Sequence, residues 1–422
     1  MKYRLCPDVY LVKGKENGCL YDFNHKKLYS VNKELKIILD EINRGIFHPD
    51  LENLENISIL RQLERLELIT KTDEPHYQSI QEIGEKGNRC DFAWIEITSR
   101  CNLKCKHCYN ESSVEASSEM SFSDYEKALN ALIRLGVKKV QIIGGEPFFD
   151  SVKLKRILDY TIGKMDMIEV FTNGTLITDP WFDYLAKNKI RMALSVYSYR
   201  EDMHDRVTQC KGAWKRTQQT IEKLKQHHIR YRVCNVLMKG IELGEKRLQP
   251  YTLHQDRDVV RMSGRANFNL LSDELIRKRL ITKETFTYPL DINFSRRMIN
   301  GHNCFANRVY IAANLKVYPC VMERRICHCD LTNDKEIHLN NTILSFNKDK
   351  VQGCSLCEYR YCCFDCRPNS LSGSFIEQPW FCTYEPETGT WKDVESVIKE
   401  LHTKWDKGVN VNQKVSHLLT NF

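Results

Sequence analysis

Three cysteines fall within eight positions of the stretch TSRCNLKCKHCYN, at Cys101, Cys105 and Cys108. Thiolates are soft ligands, and in a C-x3-C-x2-C spacing three of them can hold three irons of a four-iron, four-sulfur cubane and leave the fourth iron open. A zinc site would want a fourth ligand nearby, for which the loop offers His107. A second stretch, GGEP, follows at 144–147. Gly144 and Gly145 let a backbone approach a ligand closely, and Glu146 adds a carboxylate nearby as a charge complement.

The remaining thiols are unevenly spread. Of eighteen cysteines, ten lie after residue 300. Eight of these, Cys304, Cys320, Cys354, Cys357, Cys362, Cys363, Cys366 and Cys382, fall within 79 residues, enough for two more clusters. Taken alone, CSLC…CFDC also reads as a zinc ribbon. Cys6, Cys19, Cys90, Cys210 and Cys234 stand apart and read as ordinary small core or surface residues.

These residues need elements to position them, and 422 residues exceed what one core usually supports, so two or three domains are expected. At the N-terminus YRLCPDVYLV, GCLYDFNH and KLYSV read as three short strands, and NKELKIILDEINRG and NISILRQLERLELIT as helices. After a polar connector, six apolar β-like runs (FAWIEIT, KKVQIIGG, IEVFTNG, RMALSVYS, YRVCNVLM, DVVRMSG) alternate mostly with amphipathic helical segments. Six β/α units predict an α/β fold, a partial (β/α)6 barrel of the TIM type. Chemistry then belongs at the C-terminal strand ends, where Cys101, Gly144, Asn173 and Ser195 all fall.

Composition narrows the function class. No apolar run is long enough for a membrane span, and no basic-apolar-small leader opens the chain, so a cytoplasmic protein without membrane partners is expected. In a reducing compartment so many thiols point to metal or redox chemistry rather than disulfides. The net charge of +8 is spread along the chain and does not indicate nucleic acid.

The cysteine loop followed one strand later by GGEP resembles the radical S-adenosylmethionine superfamily. That resemblance implies a [4Fe-4S] cluster on Cys101, Cys105 and Cys108 whose open iron is chelated by the cofactor. It also implies cofactor contacts from Gly144, Gly145, Glu146, Asn173, Ser195 and Arg206, with His107 standing where relatives place another aromatic. The C-terminal cysteine order resembles the SPASM module. By that pattern Cys304, Cys320 and Cys366 hold a first auxiliary cluster and Cys354, Cys357, Cys363 and Cys382 a second, giving three [4Fe-4S] clusters. Cys327 or Cys329 remains open as a further ligand of the first, and Cys362 as an alternative to Cys363.

CEYRYCCFDCRP, QIIGGEP and RMSGRANF are similar to the grasp-with-spasm group and other thioether-forming peptide maturases. The N-terminal strands and helices are similar to PqqD-type recognition modules, with an outline shared by winged-helix folds. These resemblances imply the following domains: 1–75 leader-peptide recognition, 76–90 linker, 91–270 barrel, 271–299 bridge, 300–390 SPASM module, 391–422 C-terminal helix and tail. The activity implied is formation of a 5′-deoxyadenosyl radical that abstracts hydrogen from a ribosomally made precursor peptide to install a crosslink, chiefly a Cys thioether. The alternative is a sulfatase-maturing or carbon-carbon crosslinking SPASM enzyme. Implied partners are the precursor peptide with its leader and an external low-potential donor of the flavodoxin or ferredoxin class; the oligomeric state stays open.

Overall fold

The computed structural model describes residues 2–48, 54–74, 76–85, 90–244, 257–367 and 374–406. The expected tail beyond residue 406 lies outside the described residues.

The N-terminal module comprises β1 (Lys2–Leu5), β2 (Val9–Lys13), β3 (Gly18–Asp22), β4 (Lys27–Val31), α1 (Lys33–Asn43), α2 (Leu54–Arg65) and β5 (Ile69–Thr72). YRLCPDVYLV, expected as one strand, breaks at Pro7–Asp8, where Asp8 takes φ 59°. β1 therefore leaves the β2-β3-β4 meander and pairs antiparallel with β5. β5 is the other departure: the expected helix stops after Arg65, Glu67 turns at φ 56°, and ITKT runs back as a strand. β3 is buried at all five positions. Leu20 packs with Leu39, Ile42 and Leu63 inside the module, while Cys19 and Tyr21 pack with Tyr359, Tyr361 and Tyr384 of the C-terminal region. The described part of the connector is also packed. Gln78 N donates to Asn43 Oδ1 at 3.0 Å, and Glu85 N donates to the Arg296 carbonyl at 2.9 Å.

The barrel follows as β6 (Phe92–Glu96), α3 (Phe122–Leu135), β7 (Lys139–Ile143), α4 (Ser151–Thr161), β8 (Met167–Thr172), α5 (Asp179–Lys187), β9 (Arg191–Ser195), α6 (Glu201–Thr208), α7 (Ala213–Gln226), β10 (Tyr231–Leu237) and β11 (Arg257–Val259). All six strands pair in parallel in sequence order, as expected. Strands buried on both faces carry near-continuous apolar runs such as KVQII, and the helices bury one stripe against them. Local signals agree with the fold. Ser121 caps α3 by accepting from Asp124 N at 3.1 Å, and Gly136 ends that helix at φ 91°.

The rest comprises α8 (Asp273–Arg279), α9 (Ile292–Asn300), β12 (Arg308–Ile311), β13 (Lys316–Tyr318), β14 (Cys329–Asp330), α10 (Asn341–Leu344), β15 (Tyr384–Glu385), β16 (Thr390–Trp391) and α11 (Val394–Asp406). β12 pairs in parallel with β6, and β13 and β14 extend the sheet antiparallel to nine strands. The first C-terminal thiols, Cys304 and Cys320, thus flank a hairpin that belongs to the barrel's own sheet. Among the described residues no helix is long and apolar enough to cross a membrane.

Candidate functional site

The thiol loop leaves β6 and is held from three sides. Cys101 N donates to the Ser113 carbonyl at 2.9 Å, and Leu103 N to Cys101 Sγ at 3.4 Å. The carbonyls of Val207 and Thr208 at the end of α6 accept from Lys106 N at 3.0 Å and Lys104 N at 3.2 Å. From the segment after β11, Arg265 Nε donates to the Cys105 carbonyl at 2.9 Å and its Nη2 to the Ser112 carbonyl at 3.0 Å. That approach requires a glycine before it: Gly264 has φ 58°, and a Cβ there would lie 2.3 Å from the Cys108 oxygen.

The two glycines of GGEP press the end of β7 against this loop, backbone on backbone. Gly145 N donates to the Thr98 carbonyl at 2.7 Å and Glu146 N to the Arg100 carbonyl at 2.8 Å. A Cβ on Gly145 would stand 2.2 Å from Arg100 O, and one on Gly144 2.5 Å from Thr98 O. Both glycines line a cavity of 290 Å³ together with Cys101, Cys105, Cys108, His107, Asn173 and Ser195. Six strand ends thereby converge, as the barrel topology requires.

Two of the expected contact residues, Glu146 and Arg206, do not line the cavity. Glu146 does not offer its carboxylate to the cavity; it is fully buried behind the strand ends, where Oε1 accepts from Phe148 N at 3.0 Å and Thr172 Oγ1 at 2.7 Å and Oε2 from Asn173 N at 2.8 Å. Burial raises its pKa to about 7 against the pull of these bonds. Arg206 is exposed, and its guanidinium bonds the Gly240 carbonyl away from the cavity. The next two residues, Val207 and Thr208, are buried and face the thiol loop, so the helical phase turns Arg206 outward. The cation that does reach the loop is Arg265, which lines the cavity.

The other residues are more closely engaged. Asn173 Nδ2 donates to Asn102 Oδ1 at 3.0 Å and stands 3.8 Å from Cys101 Sγ. His107 packs edge-on to Tyr197 at 4.6 Å; burial lowers its pKa to about 4, leaving the ring neutral near pH 7. Burial raises Cys105 to about 12, and Arg265 pulls the other way. Tyr197, which sequence reasoning passed over, also lines the cavity, and its amide bonds His204 Nδ1 at 3.2 Å. The floor is Trp94, Gln141, Phe171 and Cys234, above an Arg232–Glu169 ion pair at 2.9 Å. Cys234, read as an ordinary residue, is therefore part of the wall. Buried atoms on this surface, His107 Nδ1, Ser263 Oγ and Arg261 Nε, have no hydrogen-bond partner among the described residues. Three thiols, two glycine backbones and unpartnered polar atoms beside apolar rings fit a cluster with an amphipathic, polar-ended ligand.

The far wall, Asp258, Arg261, Val321 and Met322, adjoins the C-terminal thiols. Arg261 pairs with Asp258 at 2.5 Å and acts electrostatically on Cys366, Cys320 and Cys304. These three act on one another, and burial raises Cys304 to about 12 and Cys366 to about 11. Cys327 and Cys329 are turned elsewhere: Cys327 Sγ donates to the Val317 carbonyl at 3.3 Å and the Cys329 carbonyl at 3.0 Å, within the β13–β14 pairing.

A smaller cavity of 20 Å³ is lined by Cys354, Cys357, Cys363 and Cys382 together. Cys362 faces the opposite way, toward Tyr21 of β3. Among the described residues no three His, Cys, Asp or Glu side chains stand close enough to hold one metal ion.

The chain is similar to several known proteins. Residues 95–249 match the family model described as the Radical SAM superfamily. The Antilisterial bacteriocin subtilosin biosynthesis protein AlbA of Bacillus subtilis (strain 168) is 39% identical over 144 residues, covering 34% of this chain and 32% of that protein. A Probable GTP 3′,8-cyclase of Methanocella arvoryzae is 33% identical over 128 residues, 30% of this chain and 40% of the relative. The matched stretches thus span about a third of these relatives' own lengths. The crystal structure of Streptococcus suis SuiB aligns over 93% of this chain and 99% of that one, with a TM-score of 0.48 and 15% identity. The chain carries a radical SAM domain.

Proposed function

We propose that this chain is a radical S-adenosylmethionine peptide maturase that crosslinks a ribosomally made precursor peptide, chiefly through a Cys thioether. One observation carries the reading: a single cavity is walled on one side by the Cys101–Cys105–Cys108 loop and on the other by Arg261, Val321 and Met322, next to Cys320. A substrate residue held there can meet both thiol groups at once.

In this reading Cys101, Cys105 and Cys108 hold the site cluster, Cys304, Cys320 and Cys366 the first auxiliary cluster, and Cys354, Cys357, Cys363 and Cys382 the second. When bound, the site cluster and S-adenosylmethionine supply hydrogen-atom abstraction. The chain's residues do the rest. Gly144, Gly145, Asn173 and Ser195 seat the cofactor's polar end, the neutral ring of His107 and Tyr197 form an apolar side, and the Trp94–Phe171 floor excludes water. Arg265 fixes the thiol loop. With only three thiols at the first auxiliary site, one position stays open for a substrate thiol.

The N-terminal module is suited to capturing a leader peptide as an added strand, because β4 is an outer strand of its sheet. The subtilosin protein's role in bacteriocin biosynthesis supports a peptide substrate. The low-potential donor is expected to be a separate protein of the flavodoxin or ferredoxin class.

Mass spectrometry of a candidate precursor co-expressed with the enzyme tests the proposal. The expected result is loss of two hydrogens per crosslink, with the acceptor cysteine closed to alkylation. A precursor of unchanged mass, recovered with cofactor cleavage intact, would overturn it.

A further inference from the structure

Lys348 is the one lysine among the buried residues, 1% exposed, and it lines the small cavity that Cys354, Cys357, Cys363 and Cys382 surround. Its ammonium donates to the Phe364 carbonyl at 3.0 Å and reaches the Cys363 thiol. A buried ammonium is strongly disfavoured unless an anion lies beside it. Asp365, the nearby carboxylate, is shared: Oδ1 is held by Arg367 Nε at 3.0 Å and Nη2 at 2.5 Å, while Oδ2 faces His302 Nε2 at 3.6 Å and the carboxylate also acts on Lys348. Arg367 in turn is spent on Asp365 and on the Phe375 and Glu377 carbonyls, each at 3.0 Å. Lys348 thus shares Asp365 with Arg367 and His302, and faces a small thiol-lined space.

We propose that Lys348 is the charge-compensating residue of the second auxiliary cluster, raising its reduction potential by stabilising the reduced, more negative state. The inference rests on the assignment of Cys354, Cys357, Cys363 and Cys382 as the ligands of that cluster. A cubane held by four thiolates is anionic in its usual oxidised state and gains one further negative charge on reduction, so a fixed cation beside it favours the reduced form. The effect is large where water is absent, and Lys348 itself is removed from solvent. The segment 363–367 gives the cation a directional meaning. Cys363 belongs to the second site and Cys366 to the first, where Arg261 is the facing cation. Each auxiliary site thus has a cation beside it, buried in the case of Lys348 and half-buried in the case of Arg261, and their potentials can be set separately through residues that ligate nothing.

The test uses full-length protein, anaerobically reconstituted, as wild type, Lys348→Met and Lys348→Arg. Iron per chain is counted first, and the midpoint of each cluster is then followed by EPR-monitored redox titration. The expected result is full iron in all three, a more negative midpoint for the second cluster in Lys348→Met alone, and an unchanged first cluster. If Lys348→Met sheds about a third of the iron, counting four per cubane, while Lys348→Arg keeps it, the positive charge is required for the cluster to be held at all, and the proposal stands. A full complement with an unshifted midpoint in Lys348→Met, or loss of iron from both variants, makes Lys348 a space-filling residue and overturns it. Failure of the ligand assignment shows separately, as a wild type that saturates near four irons.

Discussion

The Tyr21 hydroxyl lies 3.3 Å from Cys362 Sγ and 3.0 Å from the Glu358 carbonyl oxygen, joining the N-terminal sheet to the loop that carries Cys357, Cys362 and Cys363. This contact gives two adjacent cysteines different surroundings. Cys362 belongs to the core shared with Tyr21 and Cys363 to the small cavity. Reconstituted Cys362→Ser should therefore keep about twelve irons per chain, whereas Cys363→Ala should lose about four. Equal iron in the two variants would refute the division.

Gly145→Ala should be far more damaging than a methyl group suggests. Its Cβ would stand 2.2 Å from a backbone oxygen of the thiol loop, and neither strand end can retreat without breaking the bonds from Gly145 N and Glu146 N. A loss of about 3 kcal/mol or more in unfolding free energy is expected, with the site cluster lost before the auxiliary ones. Circular dichroism melts and iron counts check it.

Arg206 and Arg265 should separate cleanly. Arg206→Ala removes an exposed side chain and should leave S-adenosylmethionine affinity within about twofold, while Arg265→Ala frees the Cys105 and Ser112 carbonyls and should weaken it about tenfold, or roughly 1.4 kcal/mol. Equilibrium binding to the reconstituted protein measures both.

Glu146 predicts a pH signature. Its folded pKa, about 7, lies above the ordinary 4.5 of a free side chain, so its contribution is complete below about 4.5 and is lost as pH rises through about 7. Glu146→Gln carries a constant penalty, since its amide cannot accept from Asn173 N, but no such slope. The stability gap between wild type and variant should therefore narrow by about 3 kcal/mol from pH 4 to pH 9, or reverse. A gap that does not change with pH would show Glu146 titrating normally.

What could be read beforehand depended on how local the cause was. The six barrel strands were legible because strands buried on both faces need unbroken apolar runs, and the cysteine loop because ligand spacing is written in adjacent residues. Arg206 misled because its direction depends on helical phase relative to Val207 and Thr208, which no spacing rule reports. The choice of Cys363 over Cys362 rests on a tyrosine distant in sequence, and the RMSGRANF stretch resembled known maturases without showing that Gly264 exists to let Arg265 reach Cys105. Glu146 was assigned by the GGEP resemblance and its charge, whereas three donors behind the strand ends bond its carboxylate.

The pairing of β12 with β6 joins residues roughly two hundred positions apart, Phe92 with Arg308 through Ile95 with Ile311. During synthesis the rim of β6 must wait, bare, until most of the chain has left the ribosome, and an exposed parallel edge is a template for pairing with other chains. A fragment ending at the bridge would keep that edge open permanently. The C-terminal thiol region thus also acts as the barrel's guard against aggregation, which makes the barrel a poor candidate for expression alone.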